Sequence, residues 1–100
     1  MVHNIDKTPL PVLYLSQSEV DVLDAAAHVK FGELLQVEIG RGQAEFRRQV
    51  TPTQAAFIGI LRDQGLTYLD VIVVHNGAPQ QIEVDGMHGK IKYKRKLRFT

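Results

Sequence analysis

Two stretches of the chain carry apolar residues at helical spacing, and each opens on a capping signal. Val20, Leu23, Ala26 and Ala27 recur at that spacing behind Ser16-Gln17-Ser18-Glu19. Ser16 can accept from the backbone N–H three residues on while Glu19 reaches back, and Leu15 and Val20 flank the cap as a hydrophobic staple. Ala55, Ile58 and Leu61, with Phe57 beside them, follow Thr51-Pro52-Thr53-Gln54, a second capping box with proline at the first helical position. Gly65 supplies a left-handed stop. The spacing predicts helices near 17–29 and 52–64.

Period two takes over after each helix. Leu35-Gln36-Val37-Glu38-Ile39 alternates as a half-buried strand does, and Gly40-Arg41-Gly42 is expected to turn the chain into a partner strand, Ala44 to Arg48. In the second half, Asp70-Val71-Ile72-Val73-Val74 is β-branched after its first residue, which predicts a central strand covered on both faces. Asn76-Gly77 is a type I′ hairpin signal, and Gln81-Ile82-Glu83-Val84-Asp85 returns from it. Pro79 fits only the turn or an edge.

At an offset of 35 the two halves align: Leu15 with Val50, Ser16 with Thr51, Leu23 with Ile58, Leu34 with Leu69, Val37 with Ile72, Gly42 with Gly77. Only Leu34/Leu69 and Gly42/Gly77 are identities, so the repeat is one of pattern, and two generic helix-hairpin units matching by chance is the alternative. The expected fold is α+β: two tandem α-β-β units forming an antiparallel or mixed sheet with both helices on one face, plus a C-terminal basic strand. One domain is expected over 1–100, with an N-terminal arm at 1–14, units at 15–49 and 50–86, and the basic strand at 87–100. Pro9 and Pro11 favour an extended arm, and a short strand near Val12–Leu15 fits the pattern. The expected core is Val20, Leu23, Ala27, Phe31, Leu34, Val37, Ile39, Phe46, Phe57, Ile58, Leu61, Leu66, Ile72, Val74, Ile82 and Leu97.

The second hairpin, VIVVHNGAPQQIE, resembles the short bacterial YezD-like proteins of unknown function. Val73-Val74-His75-Asn76-Gly77 and Gln81-Ile82-Glu83 stand where that family carries V-x-V-H-D/N-G and Q-I-E. The resemblance spans about a third of the chain, implies a tandem version of one helix-hairpin unit, and lends no mechanism. The chain departs from it by inserting Val84 to Tyr93 before Arg95-Lys96-Leu97-Arg98.

Composition narrows the classes. One hundred residues, 44% hydrophobic and 23% charged, suit one soluble globular domain. With no cysteine there is no disulfide, thiolate metal site or cysteine nucleophile. The longest apolar runs are four or five residues, against the roughly 20 of a membrane-spanning helix. MVHNIDKTPLP lacks the cationic and apolar regions of a secretory signal, so a cytoplasmic location is expected.

Charge is distributed unevenly. Residues 1–86 hold six basic and all eleven acidic residues, a net −5, whereas the last fourteen hold six basic and no acidic residues, +6. Within Ile91 to Phe99, period two places Ile91, Tyr93, Arg95, Leu97 and Phe99 on one face and Lys92, Lys94, Lys96 and Arg98 on the other. Alternate strand residues lie about 6.5–7 Å apart, close to the spacing of successive phosphates. These four cations with Lys90 are candidates for binding DNA or RNA, and Tyr93 or Phe99 for stacking a base. An edge strand whose lysines block aggregation explains the same residues. Arg41, Arg47 and Arg48 can extend a basic surface, interrupted by Glu38 and Glu45.

Other chemistry is poorly supplied. His3, His28, His75 and His88 have no metal-ligand spacing. Ser16, Ser18, Thr51 and Thr53 read as helix caps, Asp21 and Asp24 as solvated helix acids, and Asp63 and Asp70 flank a turn. Gly40-x-Gly42 lacks the following helix of a phosphate loop. No cofactor, metal or catalytic residue is expected. The leading expectation is a non-enzymatic regulatory or accessory protein contacting nucleic acid through its basic strand. The alternative is a protein-interaction module or homodimeric adaptor whose basic strand meets an acidic protein or a second copy.

Overall fold

Both capping boxes close in the computed structural model, which describes residues 9–99. The expectations for the arm at 1–8, with His3, lie outside the described residues. Ser16 Oγ accepts from the Glu19 N–H at 3.2 Å and Glu19 Oε1 from the Ser16 N–H at 2.9 Å, starting helix α1 (Gln17–Val29). Thr51 and Gln54 repeat the exchange at 3.1 and 2.9 Å and start α2 (Pro52–Asp63). Among the described residues six strands accompany them: β1 (Val12–Leu15), β2 (Gly32–Glu38), β3 (Phe46–Gln49), β4 (Tyr68–His75), β5 (Ala78–His88) and β6 (Ile91–Arg98). The chain is α+β, with antiparallel sheets of order β1-β3 and β2-β4-β5-β6.

The second hairpin forms as expected, with Asn76 at φ 52° and Gly77 at φ 76° in the turn joining β4 and β5. The first does not. β2 leaves Gly40–Gly42 without turning back and pairs with β4, Leu34 opposite Ile72, while β3 pairs with β1, Leu15 opposite Phe46. The seven residues from Ile39 to Glu45 exceed the two to five of a usual hairpin loop. Leu15 and Val50, the residues ahead of the two caps, are both buried, so the strands that lead into the helices come together instead. The offset-35 pattern therefore describes two β-α-β runs, β1-α1-β2 and β3-α2-β4, whose like strands pair antiparallel. The αββ boundaries at 15–49 and 50–86 cut across this pairing, and β5-β6 is a hairpin added after the second run.

Both helices pack on one face of the four-stranded sheet. Val20, Val22, Leu23 and Ala26 from α1 and Phe57, Ile58 and Leu61 from α2 join Leu69, Ile72, Val74, Ile82 and Val84 in one core, with Leu15 of β1 and Val50 just after β3. Alternation breaks at Gln36, φ 52°, so that Leu34 and Val37, three apart, both pack on the core, as do Leu69 and Ile72 on the facing strand. Three expected core residues are exposed: Ala27, Phe31 and Phe46. Lys30 at φ 69° turns the chain out of α1, and Phe31 lands at the sheet margin, edge-on to His75 with ring centres 5.0 Å apart. No helix of the described residues is long and apolar enough to cross a membrane.

Candidate interaction surface

Strand register decides which side chains share the sheet's other face. Glu33 pairs with Val73, Val73 with Gln81 and Gln81 with Arg98, one transverse row across β2-β4-β5-β6. The neighbouring row on that face is Leu35, Val71, Glu83 and Lys96. Beyond Val71–Glu83, β4 and β5 no longer pair, while β2 and β4 continue through Val37–Leu69 and Glu38–Tyr68 and β5 and β6 through Asp85–Lys94 and Met87–Lys92. The helices and their core partners all lie on the opposite side, so among the described residues nothing covers this face. β4 is thus covered on one face only, and its β-branched run, expected to be buried on both, leaves Val71 and Val73 half-buried beside an exposed Leu35.

The basic residues divide by partner. Lys92, Lys94, Lys96 and Arg98 do share one face of β6, an edge strand. Lys94 is claimed by two carboxylates, Asp70 and, at 2.8 Å, Asp85. That bond and the ammonium charge hold Asp85 below the usual carboxylate range, and the same two acids hold Lys94 above the usual lysine range. Arg98 Nε donates to Gln81 Oε1 at 3.0 Å, and Lys96 sits across from Glu83. Among the described residues Lys90, Lys92, Lys96 and Arg98 have no carboxylate within ion-pair distance.

The aromatic candidates lie elsewhere. Tyr93 is opposite Gly86 on the other face of the ribbon, so close that a Cβ on Gly86 would come within 2.8 Å of its Cζ. Phe99 packs edge-on against Phe57, ring centres 5.3 Å apart. Neither stands beside the lysine row, since period two puts odd-numbered β6 residues on the face opposite the cations, as the sequence pattern implies. Arg95, grouped with them, donates to Gln64 Oε1 at 2.6 Å at the end of α2. Arg47 and Arg48 belong to the separate β1-β3 sheet, and Arg48 pairs with Asp24 of α1 at 2.8 Å, so they do not prolong the β6 surface.

A hollow of about 370 Å³ lies between the 39–44 loop and the facing ends of α1 and α2, lined by Glu19, Arg41 and Arg62 among others. Glu19 and Arg62 are spent on each other there. No group of three or more potential metal ligands occurs among the described residues.

Sequence reasoning found the cations but missed what faces them. The stripe of one amide and two acids, Gln81, Glu83 and Asp85, is visible as period two in QIEVD. Its alignment against Arg98, Lys96 and Lys94 depends on pairing register, which no local pattern states. Comparison of the chain with protein-family models, with curated proteins and with solved structures finds no match.

Proposed function

We propose that the chain is a non-enzymatic binding protein of regulatory or accessory type, a protein-interaction module that acts through the uncovered face of its four-stranded sheet in the cytoplasm. One observation carries the reading. Leu35, 63% exposed on the edge strand β2, adjoins Val71 and Val73 of β4, and charged and amide residues of β2, β5 and β6 flank this apolar patch. An exposed apolar patch flanked by polar residues marks an interaction site, and an antiparallel sheet meant for water alternates to polar side chains there. The likeness of the β4-β5 hairpin to YezD-like proteins supports a bacterial relative of that family, without adding an activity.

A photoreactive side chain at Val73, with a control at the exposed Ala25 of α1, tests the surface in extract of the source cell. Adducts to polypeptide from position 73 alone support the module. Equal adducts from both positions, or none from either, overturn it.

A second reading rests on Lys90, Lys92, Lys96 and Arg98, whose lack of carboxylate partners supports contact with the phosphates of DNA or RNA along β6. Adducts to nucleic acid from position 73 would favour it.

A further inference from the structure

The open face carries its own complement. The row Glu33–Val73–Gln81–Arg98 runs from an acid on one edge strand, through apolar and amide positions, to a base on the other. Among the described residues, neither Glu33 nor Arg98 has an ion-pair partner within the chain. A two-fold axis parallel to the strands, between β4 and β5, lays β2 of one copy over β6 of the next. Glu33 of each copy then meets Arg98 of the other, twice. The same rotation sets Leu35 beneath the aliphatic stem of Lys96, and Val73 against Gln81.

We infer that the partner of this face is a second copy of the chain, docked sheet to sheet about that axis, with Glu33–Arg98 as the pair that fixes the register. The inference rests on the open-face reading above and deepens it. A self-complementary patch is what an isologous dimer requires, since one surface must serve both sides. The competing two-fold, perpendicular to the strands, stacks β2 on β2 and β6 on β6, and sets Glu33 against Glu33 where it passes through this row. Like charges across an interface oppose docking, so the charges choose between the axes. All four strands pair side by side only from the row Glu33–Val73–Gln81–Arg98 to the row Leu35–Val71–Glu83–Lys96, which at about 4.8 Å between strands presents roughly 200 Å² per copy, and the β2-β4 and β5-β6 pairs beyond it add to the face. Such a face is smaller than a standard specific interface, so a weak, reversible dimer is expected.

Sedimentation of the whole chain over a range of concentrations tests this, with circular dichroism to show that each variant is folded. The wild type should pass reversibly from monomer to dimer. Glu33→Arg and Arg98→Glu should each raise the dissociation constant about tenfold or more, and the double variant should return it to within about threefold of wild type, as coupled charges do. Val73→Lys should leave monomer. A wild type that stays monomeric at every attainable concentration overturns the second-copy inference, and the open-face reading is then decided by crosslinking alone. A dimer that Val73→Lys breaks but that charge reversal neither weakens nor rescues keeps the face and overturns the register. A dimer untouched by Val73→Lys lies elsewhere on the molecule and overturns both.

Discussion

Glu19 and Arg62, forty-three positions apart, join the start of one helix to the end of the other. Arg62 Nη2 donates to Glu19 Oε1 at 2.7 Å and Nε to Oε2 at 3.0 Å, while Nη2 also donates to the Tyr14 carbonyl at 2.6 Å. Glu19 thereby closes its own capping box and anchors α2 and β1 to α1. Removing Arg62 leaves a buried carboxylate with only Ser16 as a hydrogen-bond partner. A fully buried pair broken this way costs about 3–5 kcal/mol, and because the Arg62 side chain is 42% exposed, Arg62→Ala should cost about 1–3 kcal/mol. Urea unfolding should show a lower midpoint at unchanged slope.

The same pair sets an acid limb. Burial pushes Glu19 up, but Arg62 and the Ser16 hydrogen bonds outweigh it and hold the carboxyl below its ordinary 4.5. A lowered native value means that the unfolded chain takes up its proton first, so the stabilisation is complete above about pH 4.5 and fades as pH falls through the native value. Stability against pH should therefore drop on acidification below that point. The drop should be shallower in Glu19→Gln, and an unchanged limb would dissociate Glu19 from acid unfolding.

Ile58 and Ile72 are buried where helix meets sheet, at 1% and 0% exposure. Shortening either to alanine should cost about 2–5 kcal/mol through lost burial and the cavity left behind. Phe31, 61% exposed at the sheet margin, should lose less than about 1 kcal/mol as Phe31→Ala. Equal losses at all three positions would mean that Phe31 packs as the hydrophobic pattern alone implied.

What was legible locally and what was not separate cleanly. Both helix starts, the Asn76-Gly77 turn and most of the core followed from side chains a few positions apart, because caps, turns and amphipathic stripes are local physics. The pairing of β2 with β4 and of β1 with β3 was not, since Gly40–Gly42 looks like a turn from its residues and only the burial of Leu15 and Val50 draws the neighbouring strands apart. The basic face of β6 was read correctly as a face. Its ion-paired member could not be, because Lys94 meets Asp70 and Asp85 only through folding.

Gly77 supports two demands at once. Its φ of 76° lies where a side chain is strained, and its N–H donates to the Lys30 carbonyl at 2.9 Å, tying the hairpin to the end of α1. Gly77→Ala would add a Cβ 3.5 Å from Ala27 Cα, an ordinary contact, so the cost comes from the backbone, about 1–2 kcal/mol. Asn76→Gly relieves the neighbouring positive φ of 52° and should be nearly neutral by comparison. Thermal unfolding of the two variants should separate them by several degrees in this small chain.

Lys94 makes the nucleic-acid reading testable residue by residue. A cation that already sits between Asp70 and Asp85 releases no phosphate counterion unless those pairs open, whereas Lys92, Lys96 and Arg98 carry no such partners. Binding to labelled DNA and RNA should therefore weaken with salt, and the log–log slope should fall by about two to three units when Lys92, Lys96 and Arg98 are changed together to glutamine. Lys94→Gln should leave the slope alone and lower the urea midpoint instead, because it leaves two carboxylates without their ammonium. A slope that falls by about one unit in Lys94→Gln would show the ion pairs opening on the polyanion. If the wild type fails to bind at low salt, the row protects the sheet edge, and protein contact through Leu35, Val71 and Val73 stands as the working reading.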